Sequence, residues 1–137
     1  MSSVPLELFA GVADIDEFRA RAWTRFRFIS RRTVLQWLQQ DIDYITRHGL
    51  STHGIRRIRE EQGIDVFDVV LIDGSEFTGR AELAEVHGAR FLLLDDTRSF
   101  KTYDNYRRLR ADPTYRLVTQ SRWLRNGFAI FERVGAT

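Results

Sequence analysis

Asp73, Glu76, Asp95, Asp96 and Lys101 are the side chains of this sequence whose types and spacing suit chemistry. Asp73 closes the apolar run Phe67-Asp68-Val69-Val70-Leu71-Ile72, and Asp95-Asp96 closes Ala89-Arg90-Phe91-Leu92-Leu93-Leu94. A short apolar run ending in acid is the form of a strand buried on both faces of a parallel sheet, and ligands bind at the carboxyl ends of such strands. If the two strands are neighbours, their ends lie about 4.8 Å apart, so Asp73, Asp95 and Asp96 could converge on one hard cation such as Mg2+. The other use of these acids is to cap helices and turns. Glu76, in the turn beyond Asp73, is placed to accept a proton or to hydrogen-bond a cofactor amine, or only to favour the positive end of the next helix. Lys101, the one lysine of the chain, is a candidate general acid or base, or a solvated charge.

The elements that must position these groups divide at about Gly63. Residues 1–63 read as mainly helical. Ile15, Phe18, Ala22 and Phe26 make an apolar stripe over 13–28; a second helix starts with Thr33 as N-cap and ends at Gly49; a third runs from near Ser51 to Gly63. Residues 64–137 alternate: the Phe67 strand, a helix over Thr78–Val86, the Phe91 strand, a helix over Thr102–Ala111 stopped by Asp112-Pro113, then strands over Tyr115–Gln120 and Phe128–Val134. Strand–helix–strand alternation means parallel crossovers. The short polar link Arg122–Asn126 leaves no room for a crossover, so the last two strands pair antiparallel.

At 137 residues the chain reads as one domain able to bury a core without staples. It has no Cys, which rules out disulfides, thiolate zinc sites and a cysteine nucleophile. No basic, apolar leader opens it and no run is long enough to span a membrane, so the expectation is a soluble cytoplasmic protein. The net charge of +2 is small for a nucleic-acid binder. Gly74 and Gly79 have the glycine spacing of a phosphate-binding loop, but Arg80-Ala81 stands where Lys and Ser or Thr are needed.

The second half resembles the carboxy-terminal half of a class I S-adenosylmethionine-dependent methyltransferase. More narrowly, Asp73-Gly74-Ser75-Glu76-Phe77-Thr78-Gly79, Leu93-Leu94-Asp95-Asp96-Thr97, Lys101 and Arg125-Asn126-Gly127-Phe128 resemble a group of bacterial methyltransferase-like proteins. The resemblance implies a three-layer, Rossmann-like α/β sheet, mostly parallel, finished by one reversed strand inserted beside its neighbours. It implies that Ser2, Ser3, Asp73, Gly74 and Glu76 belong to the cofactor side, with Ser2-Ser3-Val4 as the turn after a third strand. It also implies that Asp95, Asp96 and Lys101 face a small-molecule substrate. In the metal-dependent O-methyltransferases that this resembles, an acid after one strand and an Asp-Asn pair after the next hold a metal ion; here Asp96 replaces that Asn. No G-x-G-x-x-G can be made from the nine glycines, so the strands ahead of the Ser-Ser-Val turn, with their glycine loop, are expected to be missing and the domain incomplete alone.

Two expectations follow. A sheet without those strands leaves the Phe67 strand as an apolar edge, which helices of the first half or a second chain, in a homo-oligomer for instance, should cover. The rival reading is a non-catalytic interaction or nucleic-acid-binding module built on segment 18–32, where Arg19, Arg21, Arg25, Arg27, Arg31 and Arg32 interleave with Trp23 and Phe26. On a helix the same residues would segregate into an apolar and a solvated face.

Overall fold

The computed structural model describes residues 28–50 and 53–135 of the chain. Ser2, Ser3 and nearly all of the helix expected over 13–28 lie outside these residues. Helix α1 spans Arg31–His48 and α2 spans Gly54–Gln62. The cap of α1 is Ser30 rather than Thr33: its hydroxyl accepts the Thr33 N–H at 3.1 Å, so Thr33 is the capped residue. Both helices stop where the sequence implies. Gly49 and Gly63 take left-handed conformations, φ 56° and 62°, and return their N–H groups to the preceding turn.

The second half alternates as expected: β1 (Val69–Ile72), α3 (Gly79–Val86), β2 (Phe91–Asp95), α4 (Tyr103–Ala111), β3 (Tyr115–Ser121), a 3-10 turn at Leu124–Asn126, and β4 (Phe128–Arg133). β1 and β2 are parallel, with Leu71 beside Leu93. β4 lies between β2 and β3, antiparallel to both, giving a mixed sheet of order β1-β2-β4-β3. The register between β3 and β4 slips by one residue between Leu117 and Thr119, so Val118 bulges out to solvent.

The helices of the second half stand on one face of this sheet. Ile72, Leu92, Leu94, Ala129 and Phe131 form the core with Leu83 and Val86 of α3 and Leu109 of α4, and Ile55 of α2 packs on its margin. Helix α1 sits apart from that core, with Val34 packed on Phe77 and Phe100 in the segments that follow β1 and β2. The opposite face, where Leu71, Leu93 and Ile130 lie side by side, carries no helix among the described residues. Two of the three expected layers are therefore described.

It follows that β1 is not buried on both faces. Val70 and Ile72 turn toward the helices, while Val69 and Leu71 are 61% and 59% exposed. Neither α1 nor α2 covers this edge; the helix expected over 13–28, which could, lies almost wholly outside the described residues.

Candidate functional site

The carboxyl ends of β1 and β2 deliver Asp73, Asp95 and Asp96 to one place, as the two apolar runs imply. One carboxylate oxygen from each lies within 4.8 Å of the others. Asp95 is buried at the last position of β2, and the Thr102 hydroxyl donates to its backbone carbonyl. Asp96 follows with φ 54°, a left-handed conformation that Asp tolerates better than most residues. That turn aims its carboxylate back toward Lys101.

Two cations of the chain itself hold this trio. Lys101 Nζ donates to Asp73 at 2.5 Å and to Asp96 at 3.3 Å. Arg125 grips both oxygens of Asp95, with Nη2 at 2.6 Å and Nε at 3.2 and 3.3 Å. The Arg125 hydrogen bonds, with the Asp96 N–H and the nearby positive charges, hold the Asp95 carboxyl below the usual carboxylate range against its burial. Burial pulls the Lys101 ammonium down, but its bonds to Asp73 and Asp96 outweigh that and leave it above the usual lysine value. Lys101 is therefore a fixed positive charge at neutral pH and does not accept a proton there. The residues present do not fit a resident Mg2+ beside it, because an ion shared by the three carboxylates would have to displace the ammonium from two of them.

Glu76 lies on the same rim, half-buried. Burial pushes its carboxyl up; Lys101 pulls it down, while Asp96 and Asp41 of α1 push it further up. Oxygens of both Glu76 and Asp41 are buried without a hydrogen-bond partner among the described residues. Glu82 is the acid in the first turn of α3 and accepts the Thr78 hydroxyl at 2.6 Å. A Cβ on Gly74 would meet only the Glu82 carboxylate, the movable end of a flexible side chain.

Arg125 and Asp41 were not legible in the sequence. Arg125 reaches Asp95 because Arg125, Asn126 and Gly127 all take positive φ (53°, 57° and 91°), and because the loop is stitched to the segment after β2 by Thr97 N–H to Gly127 O and Arg98 N–H to Asn126 O. Asn126-Gly127 is a turn signal, but an arginine at positive φ before it is not. Of the arginines in the basic segment, only Arg31 and Arg32 are described. They stand exposed at the start of α1.

Comparison of the chain with protein-family models, with curated proteins and with solved structures finds no match.

Proposed function

We propose that the chain is a methyltransferase-like domain, related to O-methyltransferases and incomplete alone, that uses S-adenosylmethionine to methylate a hydroxyl of a small molecule when its cofactor-binding half is supplied. The observation that carries this reading is the meeting of Glu76, Asp73, Asp96 and Lys101 at the carboxyl ends of two parallel strands, the end at which α/β sheets bind ligands. The reversed strand β4 inserted beside β2 supports it, although a fold alone does not assign an activity. The buried, unpartnered oxygens of Glu76 and Asp41 suit a donor-bearing, cationic ligand.

In this reading S-adenosylmethionine supplies a methyl group on a sulfonium. Glu76, its carboxyl raised by burial, accepts the proton of the acceptor hydroxyl. The Lys101 ammonium, fixed by Asp73 and Asp96, stabilises the oxyanion as it forms. The O–H bond breaks toward Glu76, the new C–O bond forms as the C–S bond breaks, and the charge of the sulfonium is discharged. Asp73 and Gly74, with Ser2 and Ser3, belong to the cofactor side, and Asp95 and Asp96 to the substrate side. No step is assigned to a metal ion.

Calorimetric titration of the full chain with S-adenosylmethionine tests this. Saturable binding weaker than micromolar, as for an incomplete cofactor side, and lost in Asp73→Asn is expected. No heat of binding would overturn it and promote the second reading, an interaction or nucleic-acid-binding module. That reading is favoured by Arg31 and Arg32, which form no ion pair among the described residues; its binding would weaken by about one log-log unit of salt per phosphate contacted.

A further inference from the structure

On the far side of the segment after β2 lies a cleft of about 310 Å3, between that segment, the start of α4 and the end of β3. Its volume is at the lower end of the range for small-molecule sites, about 300–1,000 Å3. Tyr103, Tyr106 and Trp123 supply aromatic wall, and Arg98 and Arg122 supply guanidinium groups; no carboxylate is among the lining residues. From these contacts we infer that the cleft binds a planar organic anion: one aromatic ring bearing a carboxylate or phosphate.

The parts are held in place for that task. The Arg98 guanidinium lies over the Trp123 ring, 5.5 Å from its centroid, and donates through Nη1 to the Arg122 carbonyl at 3.2 Å. A guanidinium stacked on an aromatic face is held in orientation, so Arg98 fixes the Trp123 ring at the cleft. The Ser121 hydroxyl accepts the N–H groups of both Trp123 and Leu124 at 3.2 Å, which fixes the chain where it leaves β3. The Tyr106 hydroxyl donates to Gln120 at 2.7 Å, tying α4 to β3 at the same cleft. Among the described residues no carboxylate pairs with Arg122. Trp123, 84% exposed, is a large apolar ring left mostly open to solvent. A ring set against the aromatic wall removes apolar surface from water, and the oxyanion on it finds the charge of Arg122.

This inference stands apart from methyl transfer and is read by binding alone. Equilibrium dialysis of the full chain against 4-hydroxybenzoate, phenyl phosphate, neutral 4-hydroxybenzamide and inorganic phosphate tests it. Both aryl anions should bind about tenfold or more tightly than the amide, and phenyl phosphate more tightly than inorganic phosphate. The stronger of the two aryl anions identifies the oxyanion. Arg122→Gln should weaken both by about tenfold while the exposed Arg110→Gln leaves them unchanged, and Trp123→Ala should weaken the aryl probes but not inorganic phosphate. Equal binding of amide and anion, an unaffected Arg122→Gln protein, or no saturable binding up to the solubility of the probes would each overturn it.

Discussion

Glu76 carries a carboxyl that folding prefers to keep protonated, because burial and the neighbouring acids disfavour its charge more than Lys101 favours it. Its pKa in the folded chain therefore lies above the unfolded value of about 4.3. The folded state binds the proton more tightly, so this contribution to stability is full below the unfolded value and falls as pH rises toward the folded one. Glu76→Gln should accordingly be more stable than the parent at pH 7, with the difference closing toward a pH of about 4. Denaturant unfolding of both proteins across this range measures it, and a constant difference would show that Glu76 is not strained by charge. Lys101 gives a second test at this scale. With its ammonium gone, Lys101→Ala leaves Asp73 and Asp96 facing each other beside Asp95, and the variant should take up Mg2+ or Ca2+ where the parent does not. Isothermal titration with the ions decides it; submillimolar binding by the parent would show that the lysine does not fill the place of a cation.

Between elements, α3 approaches closely the segment ahead of α4. A Cβ on Gly79 would come within 2.5 Å of the Lys101 carbonyl oxygen, and the Gly79 carbonyl accepts from buried Asn105 at 2.8 Å. Gly79→Ala must move backbone, and should cost about 1–3 kcal/mol, measured by urea denaturation. The loss should come with a looser Lys101, since its backbone is what the new methyl displaces. This contact also marks how far the sequence could be read. Apolar runs and glycine stops are local signals, so β1, β2, α3, α4 and the ends of α1 and α2 were legible with boundaries off by a few residues. The short link 122–126 was enough to pair β3 with β4. What residues alone did not give was the place of β4 beside β2, for which only the resemblance spoke. Asp73, Glu76, Asp96 and Lys101 were found because each follows a strand, whereas Arg125 meets Asp95 across 30 positions of sequence through a left-handed loop. The third layer was implied by the resemblance and by reading β1 as buried on both faces, and an apolar run does not distinguish a covered face from an open one.

For the whole molecule, the two faces of the sheet differ in what they tolerate. Leu92 is wholly buried under α3 and α4, and Leu92→Ala should cost about 2–5 kcal/mol. Leu71, on the other face, is 59% exposed, and Leu71→Asp should cost less than about 1 kcal/mol in the isolated chain. Thermal or urea unfolding at several protein concentrations compares them. A large, concentration-dependent loss for Leu71→Asp would mean that a second copy covers this face in solution.

The position of β4 also sets the order in which the protein can assemble during synthesis. Among the described strands β3 has no neighbour except β4, so residues 115–121 leave the ribosome before the described strand they pair with, 128–133, has followed them out. Before that moment the growing chain holds one parallel ladder, β1 on β2, with the β2 edge open to any passing strand. The keystone of the sheet is thus placed last, and the interval before it arrives is when this chain is most exposed to mispairing and to the chaperones that prevent it.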